Sequence, residues 1–223
     1  MGNTQQKYGR NKAFKLRVLG EFISRVANLA RLDRIEYMHT KDFYIRPLRR
    51  TDFGQVQQIY LLGLNTGHAS YEIEAPSWEK FSGTKIPETL FVAVDTENDS
   101  KILGWVSAAP ISSRSVFRGV VEDSIYIHPD ARGRGVAGAL LDKLIDVCQG
   151  LGMWSIHSWI FPENEGSARL HESRGFEKVG TLGHLAKMTY GEMAGQWRDT
   201  DIWEKLLPKP EIDDHTAAAL DLN

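Results

Sequence analysis

Phe14, Val18, Phe22 and Val26 recur every four positions, with Leu19, Leu29 and Ala30 beside them. That period predicts an amphipathic helix over about residues 11–33. Its apolar stripe needs a partner, and docking on the body of the protein or on a second subunit is the expectation, ahead of a membrane-surface or nucleic-acid contact. Ser24 is the only serine of the segment, which speaks against a transit peptide. Beyond this segment the pattern alternates. Phe43–Leu48 reads as a strand, and Thr51 as the cap of a helix that has Asp52 in its first turn and runs to about Leu64. Glu88–Val94 and Ile102–Ala108 are β-rich runs joined by the turn-forming Glu97-Asn98-Asp99-Ser100, an antiparallel hairpin. There follow a strand at Val121–His128, a helix at Gly135–Gln149, a strand at Met153–Ile160, a helix at Glu165–Arg174, and strands at Phe176–Leu182 and Trp197–Trp203. Antiparallel strands early and strand-helix-strand units later predict an α/β (α+β) body: a mixed, mostly antiparallel sheet with helices on both faces. The chain is expected to divide into a basic helical extension at 1–41, a folded body at 42–207 and an acidic tail at 208–223.

Composition narrows this picture. With 42% apolar and 25% charged residues the chain can build a core, and 223 residues suit one domain with extensions. The single Cys148 cannot make an internal disulfide, and no Cys/His cluster has zinc spacing, so a cytoplasmic, metal-free protein is expected. There is no run of 18 apolar residues and no signal-peptide pattern, so neither membrane insertion nor secretion is expected. The net charge of -2 is unevenly spread: residues 1–40 carry eight Lys and Arg against three acids.

The chemistry concentrates in Ile125-Tyr126-Ile127-His128-Pro129-Asp130-Ala131-Arg132-Gly133-Arg134-Gly135-Val136-Ala137-Gly138. A β-rich run stops at Pro129, small residues crowd a turn, and an apolar-periodic helix begins. The backbone N–H groups at such a helix start can wrap a phosphate, because no Cβ holds the anion off and the helix end is positive. Tight turns also use glycine for conformational reasons alone, so the spacing leaves both readings open. It is not a Walker A loop, since no Gly-Lys-Ser/Thr follows, nor has it the Gly-x-Gly-x-x-Gly spacing of a dinucleotide fold.

Arg132-x-x-Gly135-x-Ala137 after a strand resembles the acetyl-CoA pyrophosphate loop of the GNAT superfamily of acetyltransferases. Asn164-Glu165-Gly166-Ser167-Ala168-Arg169-Leu170-His171-Glu172-Ser173-Arg174-Gly175-Phe176 is similar to that superfamily's segment in which an Asn follows the fifth strand and a helix ends in Gly-Phe. Within the superfamily, Val121-Glu122-Asp123-Ser124, Leu170-His171-Glu172 and Trp197-Arg198-Asp199 resemble the phosphinothricin and methionine sulfone or sulfoximine N-acetyltransferase group, and the likeness spans about residues 42–205. The resemblance implies a GNAT-like sheet of seven strands, acetyl-CoA as co-substrate, no metal, a small amino-acid-like amine as acceptor, direct attack in a ternary complex, and a homodimer without nucleic-acid or membrane partners. Other acceptors (a polyamine, an aminoglycoside, a protein N-terminus) and a non-catalytic acyl-CoA sensor are the alternatives.

The resemblance also assigns roles. Ile125, Tyr126 and Ile127 would carry the pantetheine arm along their backbone, the Tyr126 side chain reading as core. Arg132, Gly133, Arg134, Gly135, Val136, Ala137 and Gly138 would hold the pyrophosphate, and Asn164 and Ser167 would also bind the coenzyme. Glu122 is the expected base. Asp123 points to the opposite face if the strand is regular, and is the lesser candidate. His171 stands where many superfamily members place a tyrosine that protonates the leaving sulfur. Arg114, Phe117 and Arg118 would bind the acidic end of the acceptor, with Thr66, His68 and Tyr71 as the other wall. Cys148 falls on one helix face with Leu140, Leu141, Leu144 and Ile145, and reads as core rather than nucleophile.

Overall fold

The structure, a computed structural model, describes residues 40–209. The helix expected over 11–33 and the acidic tail beyond Lys209 lie outside the described residues. Seven strands are formed: β1 (Phe43–Pro47), β2 (Phe91–Asp95), β3 (Ile102–Pro110), β4 (Val120–Ile127), β5 (Ser155–Ile160), β6 (Glu177–Lys187) and β7 (Trp197–Leu206). They make one sheet in the order β1-β2-β3-β4-β5-β7-β6. Every neighbouring pair is antiparallel except β4 and β5. Four helices connect them: α1 (Phe53–Leu64), α2 (Trp78–Thr84), α3 (Val136–Gly150) and α4 (Glu165–Glu172).

Consecutive residues of β3 show the two faces of the sheet. Trp105 turns toward α1 and α2, where it meets Tyr60 and Phe81 and stacks on Tyr126 at 4.9 Å. With Val56, Ile59, Leu90, Val92 and Val94 it forms the core on that side. Gly104 opens the other face to α3: a Cβ there would meet Ile127 and Leu140. α3 presents Val136, Leu140, Leu144 and Val147 at helical spacing, all buried. A fully buried leucine side chain contributes about 1.5–3 kcal/mol, so Leu140, Leu141 and Leu144 alone anchor this helix firmly against the sheet.

Three local outcomes differ from the pattern reading. Thr51 is not a helix cap: it sits inside a single 3₁₀ turn, Arg50–Asp52. Asp52 takes over instead, accepting from the Arg49 N–H at 2.7 Å and from both guanidinium nitrogens of Arg46 at 2.6 and 2.8 Å. Burial works to raise the Asp52 carboxyl, but Arg46 and the Arg49 amide outweigh it and hold it below the usual range. The run from Glu88 starts as another 3₁₀ turn, Pro87–Thr89, because Pro87 supplies no N–H, and β2 begins only at Phe91. α2 was not legible as an element; Ser77 caps it by accepting from the Lys80 N–H at 3.3 Å.

Candidate active site

The parallel pair β4 and β5 stays together for three steps, Val120↔Ser155, Val121↔Ile156 and Glu122↔His157, and then parts. Beyond that fork β4 still pairs with β3 as far as Ile127, and β5 with β7 as far as Ile160. In an antiparallel ladder alternate residues turn both N–H and C=O away from their partner. Between Asp123 and Ile127 those groups therefore face the gap rather than another strand. An open cleft of about 1460 Å³ occupies the gap, lined on one side by Asp123–Ile127 and on the other by Ser158–Phe161.

At one end the cleft reaches the start of α3, lined by Arg132, Gly133 and Gly135–Gly138. Gly133 and Gly135 hold φ of 76° and 78°, the left-handed region that side chains other than glycine rarely occupy, and a Cβ on either would meet nothing within 4 Å. Gly135 is the N-cap, and the first helical bond runs from the Ala139 N–H to its carbonyl at 3.1 Å. The N–H groups of Val136, Ala137 and Gly138 thus lack an intrahelical acceptor. These N–H groups lie at the positive end of a 15-residue helix, where an anion can be held. Arg132 lines the cleft there, exposed. Arg134 does not: its guanidinium donates to Asp95 at 3.1 Å and to the Asp42 carbonyl at 2.9 Å, outside the cleft.

Glu122 stands at the fork. The β3–β4 register is regular, so Glu122, Ser124 and Tyr126 share the face of Trp105, and Asp123 takes the opposite one. Half-buried and lining the cleft, Glu122 has a carboxyl pKa above its ordinary value. Burial is the main cause and Asp123 adds to it, while Lys85 and His157 pull the other way. A raised carboxyl is a stronger base once ionised, as amine deprotonation near neutral pH requires.

Asp123 finds a partner on its own face. His171 of α4 is fully buried; its Nε2 lies 3.1 Å from Asp123 Oδ2 and 3.0 Å from Ser158 Oγ, and its Nδ1 lies 2.8 Å from the Ser167 carbonyl. A carbonyl and a carboxylate only accept, so these two contacts are met together by an imidazolium, while the Ser158 hydroxyl can donate to Nε2 of a neutral ring. Burial works to lower its pKa, but the Asp123 charge and hydrogen bond and the Ser167 carbonyl outweigh it, and the net direction is up.

The Acetyltransferase (GNAT) family matches residues 55–176, which include the fork, the glycine-opened helix start and α4. The chain belongs to this family. It is 33% identical over 167 residues to the phosphinothricin N-acetyltransferase of Alcaligenes faecalis, covering 73% of this chain and 82% of that protein. It is 30% identical over 122 residues to the L-methionine sulfoximine/L-methionine sulfone acetyltransferase of Salmonella typhimurium, covering 55% of this chain and 66% of that one. Among solved structures it is similar to the phosphinothricin acetyltransferase of Sinorhizobium meliloti in complex with AcCoA, with a TM-score of 0.64 and 27% identity, over 76% of this chain and 91% of that one.

In this GNAT acetyltransferase the second wall of the cleft is the segment after α1. Thr66, His68 and Tyr71 all line it, tied down by residues whose role the sequence did not disclose. The buried Arg198 of β7 donates to the Gly67 carbonyl at 2.6 Å, lies 3.1 Å from His68 Nδ1, pairs with Glu163 at 2.7 Å, and covers the Phe161 ring at 3.8 Å. Tyr71 shares its hydroxyl with Thr200 at 2.9 Å. Asn164 caps α4 by accepting from the Ser167 N–H at 3.2 Å and donates to the His68 carbonyl at 3.0 Å. Both Asn164 and Ser167 line the cleft. The loop arginines are elsewhere: Arg114 lies over Phe117 and Arg118 over Trp154, each at 5.4 Å. Arg114, Phe117 and Arg118 are exposed and none lines the cleft. Tyr126 lines the cleft but is chiefly core, donating its hydroxyl to the Ala69 carbonyl at 3.2 Å. Burial pushes the Cys148 thiol up to about 12, which rules it out as a nucleophile. No group of three or more His, Cys, Asp or Glu among the described residues is placed to hold a metal ion. None of the described helices is long and apolar enough to cross a membrane.

Proposed function

We propose that the protein transfers the acetyl group of acetyl-CoA to the primary amine of a small amino acid or analogue of the phosphinothricin and methionine sulfone class, by direct attack with both substrates bound. The observation that carries this reading is the fork itself: a parted β4–β5 pair running from a glycine-opened helix start to a half-buried carboxylate, Glu122. The N–H groups of Val136, Ala137 and Gly138 hold the diphosphate, and the gap-facing N–H and C=O groups of Asp123–Ile127 pair with the amides of the pantetheine arm. That delivers the thioester carbonyl to the end of the cleft where Glu122 stands.

Glu122 accepts a proton from the incoming ammonium, directly or through a water. The freed nitrogen lone pair attacks the thioester carbon, and a β4 N–H steadies the oxyanion. As the C–S bond breaks and the amide forms, the departing thiolate takes a proton relayed from His171, and the nitrogen's second proton replaces it. His171 holds an available proton at Nε2, 3.0 Å from the Ser158 hydroxyl, which lines the cleft. Supporting the acceptor class are the names of the relatives, a phosphinothricin and a methionine sulfoximine/sulfone acetyltransferase. The reading extends to a metal-free cytoplasmic homodimer, which sedimentation of the purified protein and its location in cells would check.

The test is turnover. Purified protein is mixed with acetyl-CoA and a panel of phosphinothricin, methionine sulfone, methionine sulfoximine, common amino acids, polyamines and aminoglycosides. Free thiol and the acetylated product mass are then followed. Thiol release together with an acetylated amino acid or analogue is expected. Acetyl-CoA binding with no amine acetylated would sink the proposal.

A further inference from the structure

The end of the cleft beside Glu122 carries a cation that the transfer chemistry does not itself require. Lys85 caps the C-terminal end of α2 in extended conformation, half-buried, and lines the same cleft as Glu122 and Ser124. Its Nζ donates to Ser124 Oγ at 3.0 Å. Among the described residues it makes no ion pair. Burial takes the ammonium's pKa down, and Glu122 and Asp123 only partly restore it. An ammonium held at this depth against a neutral hydroxyl is costly, and an arriving anion relieves that cost.

Other cations of the cleft do not compete for the position. Arg132, Arg169 and Arg174 lie with the helix start and α4, and Lys80 lines the cleft from α2 but is exposed, unlike Lys85. The loop arginines Arg114 and Arg118 lie outside the cleft over their aromatic neighbours. Glu122 and Ser124 are two residues apart on one face of β4, roughly 6.5 Å at that strand rise. A group that binds the amine's nearest neighbour, one carbon away, must stand about that close to the base. Ser124 accepts from Lys85 with its oxygen and keeps its own O–H to donate to the same incoming anion.

We propose that Lys85, with Ser124, holds the α-carboxylate of the acceptor and so restricts this site to free α-amino acids over simple amines. This rests on the amine-acetylating reading of the cleft. With the carboxylate on Lys85 and Ser124, the α-amino group is directed along the strand to Glu122, and the side chain faces the wall formed by Thr66, His68 and Tyr71.

The test compares methionine sulfone, whose only anion is the α-carboxylate, with its decarboxylated counterpart 3-(methylsulfonyl)propylamine, and adds 3-aminopropyl(methyl)phosphinate, which is phosphinothricin without that carboxylate. The wild-type KM should be at least about ten-fold lower for methionine sulfone than for the decarboxylated amine, as losing a hydrogen bond to a charged group implies. Lys85→Met should raise KM for methionine sulfone by roughly ten- to a hundred-fold, the range that such a bond spans. At a pH above the acid limb the same variant should leave kcat and both decarboxylated amines unchanged, while the acid limb itself moves up because the Lys85 charge no longer holds the Glu122 carboxyl down. Lys85→Arg should recover part of the loss. Lys85→Gln repeats the charge removal, and acetyl-CoA-induced thermal stabilisation verifies that each variant is folded. An equal loss on carboxylated and decarboxylated amines would mean that Lys85 serves only the charge of Glu122, and would overturn the proposal. So would a loss confined to the phosphinate, which would make the side-chain acid its ligand, or a wild type indifferent to the α-carboxylate. In each of these cases acetyl transfer itself survives; if no amine is acetylated by the wild type, the reading of the cleft falls and the proposal with it.

Discussion

Replacing Asp123 by Asn removes the counter-charge of a fully buried imidazolium and keeps its shape. In the native fold His171 donates to Asp123 at 3.1 Å and to the Ser167 carbonyl at 2.8 Å, with both side chains about 1% exposed. Stripping one partner from a buried pair costs up to about 3–5 kcal/mol. The variant escapes part of this, because a neutral imidazole keeps its Nδ1–H bond to Ser167 and accepts at Nε2 from the Ser158 hydroxyl, 3.0 Å away. The expected loss at pH 6 is therefore about 2–3 kcal/mol, or roughly 4–12 °C in Tm for a body of this size. The sign of the pH dependence follows from the raised pKa of His171. Its contribution is present in full below about 6.5, the unfolded value, and is lost as pH rises through the folded value. Once pH has risen through the folded value the native ring is neutral too, and the difference between the proteins should shrink toward about 1 kcal/mol. Urea unfolding of both proteins from pH 6 upward through that value measures this. A penalty that stays level or grows over that range would refute the imidazolium–carboxylate assignment.

Glu122→Gln should cut turnover by about 10²–10⁴-fold with acetyl-CoA affinity kept. Because burial raises this carboxyl, its charge weighs against the fold once pH exceeds its folded value, so the variant should melt higher than wild type at pH 8 by calorimetry. Arg198→Leu removes the buried clamp on Gly67, His68 and Glu163 and should cost about 3–5 kcal/mol in urea unfolding, with KM for the amine rising more than kcat falls. Cys148→Ser should leave turnover within a few-fold, and native protein should resist thiol reagents, because the thiol is fully buried; rapid labelling with loss of activity would contradict this.

How much of this was legible in the residues follows from the range of the forces involved. The strand, turn and glycine-opened helix start were legible because their parts are consecutive: a β-rich run, a turn of small residues, and α3, whose apolar period survives as Leu140, Leu141, Leu144 and Cys148, all fully buried. The parity of Glu122 and Asp123 followed from strand geometry, and the register is regular there. What Asp123 does on its own face was not legible, since His171 lies 48 positions away. Likewise the Arg46–Asp52 tie, made across a strand end, displaced Thr51 from its expected cap. α2 spans only seven residues, with Trp78 and Phe81 as its apolar pair, too short for a period to stand out. The resemblance marked Arg114 and Arg118, yet which cation faces the cleft depends on the fold: those two lie over aromatic rings outside it, and Lys85, unremarkable in sequence, lines it with Glu122.

The most direct check of the account is a crystal structure of the protein with coenzyme A. The diphosphate should lie within hydrogen-bond reach of the N–H groups of Val136, Ala137 and Gly138, the pantetheine arm between β4 and β5, and the sulfur at the Glu122 end of the cleft. A coenzyme bound elsewhere, with β4 and β5 closed together beyond Glu122 and His157, would contradict the account.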